Sequence, residues 1–175
     1  LYASSSEEYP ALLFYCFRKN DLECIKLGSA GSNQSAWELM LDSLLSAGFA
    51  VSAVWPMRSD PVSEKADSTR VLIVAKKGEG RGGQITRRGF INTLKRELPE
   101  KLSRLWFGHV RPEDELLSCM GQGLSVFTAY ESVLNADGSA MSVHDALQVI
   151  YLECDDYIEQ RKAAVSEDAA ESKEE

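Results

Sequence analysis

The stretch Ala11-Leu-Leu-Phe-Tyr-Cys-Phe17 decides the fold, because it is a continuous apolar and aromatic run between Pro10 and a polar run that begins at Arg18. Such a run is typical of a strand buried on both faces, as in the centre of a parallel sheet. It is too short to cross a bilayer, which takes about 20 residues of helix. We therefore expect a central, parallel strand, and the sequence predicts neither a membrane span nor a signal peptide.

A helix and two further strands follow this run. Ser35-Ala-Trp-Glu38 matches a capping box, so a helix is expected to begin there and to end at Gly48 in a left-handed conformation. Phe49 to Trp55 and Val71 to Ala75 predict the second and third strands. The intervening helix makes the second strand parallel to the first through a right-handed crossover. The long polar connection over residues 57–69 makes the third strand antiparallel to the second.

This β-α-β-β order leaves the predicted sheet without enough cover. Strands that are apolar on both faces need elements packed on both sides, yet the segment supplies one helix. We therefore expect the unit to be incomplete. Leu1 in place of an initiating methionine is consistent with a chain cut from a longer protein.

The second half of the chain is expected to be helical. Thr86 can cap a helix after the flexible linker Gly78 to Gly83, Pro99 predicts a kink or a fresh start, and Gly121-Gln-Gly123 predicts an interruption. Ser142-Val-His-Asp145 resembles a second capping box. We expect three to five helices packed on one another and against the sheet edge. The expected units are residues 1–80, a helical extension over 81–163, and a disordered acidic tail over 164–175.

The net charge of −8 is unevenly distributed along the chain. Residues 76–111 carry ten Lys or Arg against three acids, a balance of +7, so the rest of the chain carries −15. A basic stretch of this kind can contact a polyanion, or it can form the solvated faces of ordinary helices. The sequence leaves both interpretations open.

Motifs for catalysis are scarce. His109 and His144 have no metal-ligand spacing around them, which favours loop or capping roles, and the glycines at 78–83 favour a hinge over a phosphate loop. The serines lack a paired base. The four cysteines include no Cys-x-x-Cys pair, so reduced thiols and a cytoplasmic location are expected; they are Cys16, Cys24, Cys119 and Cys154.

One position has a stronger claim to contact a substrate. In an open α/β sheet, ligands bind outside the carboxyl ends of the parallel strands, and residues 18–34 and 56–69 lie at that end. Trp55 could stack on a base there, and Arg58 could contact a phosphate. The alternative is that Trp55 fills the core and Arg58 pairs with Asp60.

The order and spacing of several motifs resemble the carboxyl-terminal part of a class I, S-adenosylmethionine-dependent methyltransferase domain. More narrowly, the chain is similar over residues 9–158 to the large prokaryotic adenine-specific DNA methylases that carry a domain of unknown function. In the first half the resemblance lies in Tyr15-Cys-Phe-Arg-Lys19, Trp37-Glu38 through Ala47-Gly-Phe49, Val54-Trp-Pro-Met-Arg58, and Val71-Leu-Ile-Val-Ala-Lys76. In the second half it lies in Gly83-Gln-Ile-Thr-Arg-Arg88, Leu94-Lys-Arg-Glu-Leu-Pro99, Gly121-Gln-Gly-Leu-Ser-Val-Phe127, and Leu134-Asn-Ala-Asp-Gly-Ser139.

The resemblance implies that residues 1–80 are the distal half of a methyltransferase domain, a partial Rossmann-like sheet. Its strands would be the fifth, the sixth and the reversed seventh. The family's cofactor loop and Asp-Pro-Pro-Tyr-type motif belong on earlier strands, and the one Asp-Pro here, Asp60-Pro61, is followed by Val62. The family usually has arginine, threonine and glutamate where this chain has Arg58-Ser59-Asp60, and the tail beyond Lys162 departs completely.

The resemblance further implies methyl transfer from S-adenosylmethionine to the exocyclic amine of adenine in DNA by the parent protein. No catalytic, cofactor-binding or metal residue is assigned in this chain, so it is expected to be inactive alone and to pair with a missing amino-terminal half. The expected phosphate contacts are Arg87, Arg88, Lys95 and Arg96. The alternatives are a non-catalytic protein-interaction module, or part of a methyltransferase for RNA or a small molecule.

Overall fold

The computed structural model describes residues 2–27, 34–57, 68–78, 81–106 and 112–171. The fold is mixed α/β, with a three-stranded sheet, a two-stranded sheet and helices around them. In chain order the elements are β1 (Ala11–Arg18), α1 (Lys19–Leu27), α2 (Ala36–Ser46), β2 (Phe49–Met57), β3 (Ser68–Lys77), β4 (Gly82–Thr86), α3 (Arg87–Trp106), α4 (Pro112–Thr128), β5 (Tyr130–Leu134) and α5 (Val143–Glu171).

The larger sheet has the order β1-β3-β2, and β3 is antiparallel to both of its neighbours. β1 and β2 therefore run in the same direction, and β3 is reversed relative to β2, as the sequence predicts. The prediction that β1 is a central strand is wrong in the described part of the chain. β3 takes the place between β1 and β2, which leaves β1 at an edge of the sheet.

One face of this sheet forms the main core. Val54 of β2 and Ile73 of β3 are opposite each other in the register and are fully buried, and Phe17 of β1 is buried on the same face. Helix residues pack against them in one continuous hydrophobic cluster, which includes Trp37, Leu41, Phe90, Leu94, Leu124 and Ile150. All the described helices contribute to the covered side of the sheet or pack on those that do.

The opposite face of the sheet is uncovered in the described structure. Leu12 and Phe14 of β1 are 58% and 71% exposed, and Trp55 of β2 is 39% exposed. The alternation of exposed and buried residues along β1 follows the period of two that places successive side chains on opposite faces. The expectation that this sheet lacks cover on one side is confirmed for the described residues.

Local sequence signals set the ends of α2. The Ser35 hydroxyl accepts a hydrogen bond from the Glu38 amide at 3.2 Å, as predicted for an N-cap. Gly48 follows the helix with φ +95°, a conformation that favours glycine. α1 is not among the helices expected from the sequence; buried Ile25 anchors this helix in the core.

The later helices continue where the sequence predicts a fresh start or an interruption. α3 runs through Pro99 without a fresh start, and buried Leu94, Leu98 and Leu102 hold the helix on both sides of it. α4 continues through Gly121 and Gly123, which allow close packing. A Cβ on Gly121 would lie 2.8 Å from the Val54 carbonyl oxygen, and one on Gly123 would collide with Ile150.

The region after residue 80 also contains strands that the sequence analysis did not predict. β4 and β5 pair in parallel, with Gly82 opposite Tyr130 and Thr86 opposite Leu134. α5 then continues to Glu171, so the backbone from residue 164 to 171 is helical, and residues 172–175 of the expected acidic tail lie outside the described residues. No helix in the described ranges combines the length and the hydropathy that a membrane crossing requires.

Candidate nucleic-acid interface

Four exposed cations lie on α3. The Thr86 hydroxyl caps the helix by accepting the Gly89 amide at 3.2 Å. Phe90 and Leu94 are fully buried and fix which side of the helix faces the core. The remaining positions include the predicted phosphate contacts, all of them exposed: Arg87, Arg88, Lys95 and Arg96.

The amino-terminal end of α3 has an unusual charge arrangement. Its first turn carries no acidic residue and begins with Arg87 and Arg88, which make no ion pair in the described part of the chain. The free amides at a helix start already carry a partial positive charge, so two cations there raise the local potential further. An anion at this end would relieve that repulsion.

The cations farther along α3 have weak acidic partners. Lys95 Nζ lies 3.7 Å from the Glu153 carboxylate of α5, and Arg96 lies 3.4 Å from the neighbouring Glu97. Exposed pairs of this kind contribute little to stability, and both cations face solvent. Arg88 and Lys95 are seven residues apart, about two helical turns, so they project from the same side.

The structure does not bring Trp55 to these cations. α3 packs against α4 and α5, and α4 in turn packs against β2 on the covered side of the sheet. Trp55 lies on the uncovered side, opposite Leu72 in the register. Arg58 and His109 lie outside the described residues. Trp55 and the α3 cations therefore lie on two different surfaces of the described structure.

The glycines at 78–83 do not form a cofactor cradle in the described residues. The Arg81 side chain fills the space beside Gly78, and its guanidinium donates a hydrogen bond to the Phe49 carbonyl. Gly82 and Gly83 belong to β4. In the described residues, these glycines therefore belong to the pairing of β4 and to the packing of Arg81.

The buried carboxylate of Asp21 stabilises the fold near this sheet. Asp21 is 3% exposed, and its carboxylate accepts hydrogen bonds from the Arg18 amide at 2.8 Å and from the Trp37 amide at 3.4 Å. Tyr15 donates to the same carboxylate at 3.4 Å. Burial, the charge of Asp21 and this hydrogen bond raise the pKa of Tyr15 to about 12.

His144 has a partner that the sequence did not reveal. Its Nδ1 lies 3.1 Å from Oε1 of Glu38, which is almost fully buried. Glu38 was predicted to complete a capping box at the start of α2, but its side chain points toward α5. No group of three metal-ligating side chains lies within the described parts of the chain.

The buried cysteines have no reactive character. Cys119 of α4 and Cys154 of α5 are both fully buried. Burial and the neighbouring Cys119 thiol raise the pKa of Cys154 well above its ordinary value, which keeps this side chain in the thiol form. Both residues are part of the packing between the two helices.

Comparisons with known proteins do not assign the chain to a family. No protein-family model, no curated protein and no solved structure matches the chain. Two surface features of the described structure bear on function: an exposed basic helix and an apolar sheet face without cover.

Proposed function

We propose that this chain is the distal half of a class I, S-adenosylmethionine-dependent DNA adenine methyltransferase domain, with an extension that contacts DNA. The observation that carries the proposal is the direction of the strands. β1 and β2 run in the same direction and β3 is reversed. The resemblance of the sequence implies the same directions for the fifth, sixth and seventh strands of such a domain.

The open edge of the sheet supports the same proposal. β1 pairs with a neighbour on one side only in the described structure, so strands of the amino-terminal half of the methyltransferase domain could extend the sheet there. That half would also supply the cofactor loop and the catalytic motif. In this proposal the present chain supplies three strands of the methyltransferase sheet and the DNA contacts, and it is inactive alone.

The exposed cations of α3 are the proposed DNA contacts. Phosphate contacts position a protein on duplex DNA without reading its sequence, and exposed Arg and Lys are the usual donors. Arg87 and Arg88 at the helix start have no partner in the described residues, and Lys95 and Arg96 have only weak ones. An incoming phosphate therefore has little internal competition to overcome.

Duplex DNA binding measured across salt concentrations tests the DNA part of the proposal. Each phosphate contact is expected to lower log affinity by about 0.9 per unit of log salt. Arg87→Gln with Arg88→Gln, or Lys95→Gln with Arg96→Gln, is expected to make the slope of log affinity against log salt shallower. The change should equal the contribution of about two phosphate contacts. Lys19→Gln, at an exposed lysine on α1, is the matched control and is expected to leave the slope unchanged.

Two further results would contradict the proposal. Transfer of a labelled methyl group to DNA by this chain alone would show that the chain holds its own active site. A reading frame that encodes no cofactor loop and no Asp-Pro-Pro-Tyr-type motif ahead of Leu1 would remove the methyltransferase assignment.

A non-catalytic protein-interaction module is the second candidate function, and the uncovered apolar face favours it. In that case the cations of α3 bind no DNA. A flat salt response, or no binding to duplex DNA at low salt, would favour this second function over the first.

A further inference from the structure

We infer that the uncovered sheet face binds an amphipathic α-helix of a protein partner, whose apolar stripe carries Asp or Glu at both ends. The uncovered face is defined here by five side chains that adjoin in the strand register: Leu12, Phe14, Leu72, Val74 and Trp55. The inference follows from this face and does not depend on methyltransferase activity or on DNA binding by α3.

The five side chains form a continuous surface across all three strands. Leu12 lies opposite Val74, and Leu72 lies between Phe14 on one side and Trp55 on the other. Phe14 is the most exposed of them at 71%. A contiguous apolar patch of this kind marks an interaction surface, since single exposed apolar residues are normal but rows of them are not.

The two edges of the sheet differ in how they are protected in the described structure. At the β2 edge, the Thr128 hydroxyl bonds both the amide and the carbonyl of Val51, and a register shift lies between Val51 and Ala53. Gly121 brings α4 against the backbone of Val54. Covering helices and bulges are the usual protection of an edge. β1 has a regular eight-residue register and pairs on one side only in the described structure.

The shape of the face fits a helix. An α-helix is the element that covers the face of a sheet in α/β proteins. β1 has eight residues, which span roughly 26 Å. A helix of about 17 residues has that length.

The charges at the ends of the face determine the chemistry of that helix. Arg18 ends β1, and Lys76 lies near the end of β3 at the other end of the face; both are exposed. None of the three strands contains an acidic residue. Acidic residues at both ends of the helix would complement these cations, whereas the same face of a second copy would bring like charges together. The aliphatic centre, with Leu12, Leu72 and Val74, favours a helix over the stacked bases of a nucleic acid.

Peptide binding to the full chain tests this inference. The probe is a labelled 18-residue helical peptide with a leucine stripe and glutamate at both ends, and its control is the same peptide with lysine at both ends. Fluorescence anisotropy at low salt is expected to show at least about tenfold tighter binding of the glutamate peptide. The double substitution Arg18→Glu and Lys76→Glu is expected to reverse this preference.

Further variants separate the face from the rest of the protein. Phe14→Ser is expected to weaken binding of the glutamate peptide strongly, while circular dichroism stays unchanged because the side chain is mostly exposed. Tyr9→Ser removes an aromatic ring that is 67% exposed outside the sheet, and is expected to have no effect. Arg87→Gln with Arg88→Gln is also expected to have no effect, which separates this inference from the proposed DNA contacts.

Several outcomes would overturn the inference. Equal binding of the two peptides, or binding of neither, would show that the face does not select an acidic helix. Dimerisation in sedimentation equilibrium that Phe14→Ser abolishes would identify a second copy as the occupant. Displacement of the glutamate peptide by duplex DNA, retained in the Arg87 and Arg88 variant, would identify a nucleic acid.

Discussion

Glu38 of α2 and His144 of α5 are joined by a contact of 3.1 Å between Oε1 and Nδ1, although 106 residues separate them in the chain. Glu38 is 1% exposed, so its carboxylate is desolvated and His144 is its side-chain partner. The contact ties the first β-α-β unit to the last helix. It makes the region after residue 80 part of one packed structure with the larger sheet, as the shared hydrophobic cluster also indicates.

Removing either member of this pair is expected to destabilise the protein more than removing both. His144→Ala leaves the buried Glu38 carboxylate without its partner, which costs about 1–3 kcal/mol in the free energy of unfolding. Urea unfolding of His144→Ala, Glu38→Gln and the double variant forms a thermodynamic cycle with an expected coupling of about 1–3 kcal/mol. Additive effects would contradict the pairing. Asp42→Asn, at an exposed acid on α2, is the control and is expected to be nearly neutral.

Local signals in the sequence were sufficient for α2 and for the three strands of the larger sheet. A serine cap and a glycine in the left-handed region depend on neighbouring residues, so Ser35 and Gly48 could be assigned from the sequence alone. The position of β3 between its partners could not be assigned in that way. It depends on pairing between β1 and β3, which are far apart in the chain, and such pairing leaves no local pattern.

Gly121 and Gly123 show why helix interruptions could not be predicted from the sequence. Gly121 and Gly123 were expected to interrupt a helix, because glycine lowers helix propensity by about 1 kcal/mol. In the structure they let α4 approach Val54 and Ile150 closely. Whether a glycine breaks a helix or permits a close contact depends on a partner that lies elsewhere in the sequence. The same limit applies to Trp55, whose separation from the α3 cations follows from packing and not from spacing.

Adding a single methyl group at Gly121 is expected to destabilise the protein. A Cβ there would lie 2.8 Å from both the carbonyl oxygen and the Cβ of Val54, and a backbone group cannot move aside cheaply. Overpacking of this kind costs about 1–3 kcal/mol, which outweighs the helix-propensity gain of up to about 1 kcal/mol from Gly121→Ala. The midpoint of urea unfolding measures the difference. Gly83→Ala is the matched control, since a Cβ at Gly83 meets nothing within 4 Å; an equal loss in both variants would contradict the packing argument.

Thr128→Val is expected to expose the protected edge of β2. The Thr128 hydroxyl accepts the Val51 amide at 3.1 Å and donates to the Val51 carbonyl at 2.9 Å. Valine keeps the shape but leaves two buried backbone groups unpaired, at a cost of roughly 1–3 kcal/mol for each group. Hydrogen exchange of the Val51 amide should become faster.

Thr128→Ser is the control for this substitution, because it keeps the hydroxyl. It is expected to retain slow exchange at Val51 and most of the stability. Equally fast exchange in the serine and valine variants would show that the methyl group of Thr128, and not its hydroxyl, protects the edge.

The raised pKa of Tyr15 predicts a loss of stability at alkaline pH. The folded state holds the phenol proton more tightly, with a pKa of about 12, than an unfolded tyrosine does near its ordinary pKa of about 10. The contribution of Tyr15 to stability is therefore fully present below pH about 10 and is lost as the pH rises through about 12. Tyr15→Phe is expected to remove this part of the pH dependence, measured as the free energy of urea unfolding between pH 9 and about 12. Tyr9→Phe, at a tyrosine exposed outside the sheet, provides the comparison; the same alkaline profile in Tyr15→Phe and the unmodified protein would show that Asp21 and burial do not hold the Tyr15 proton.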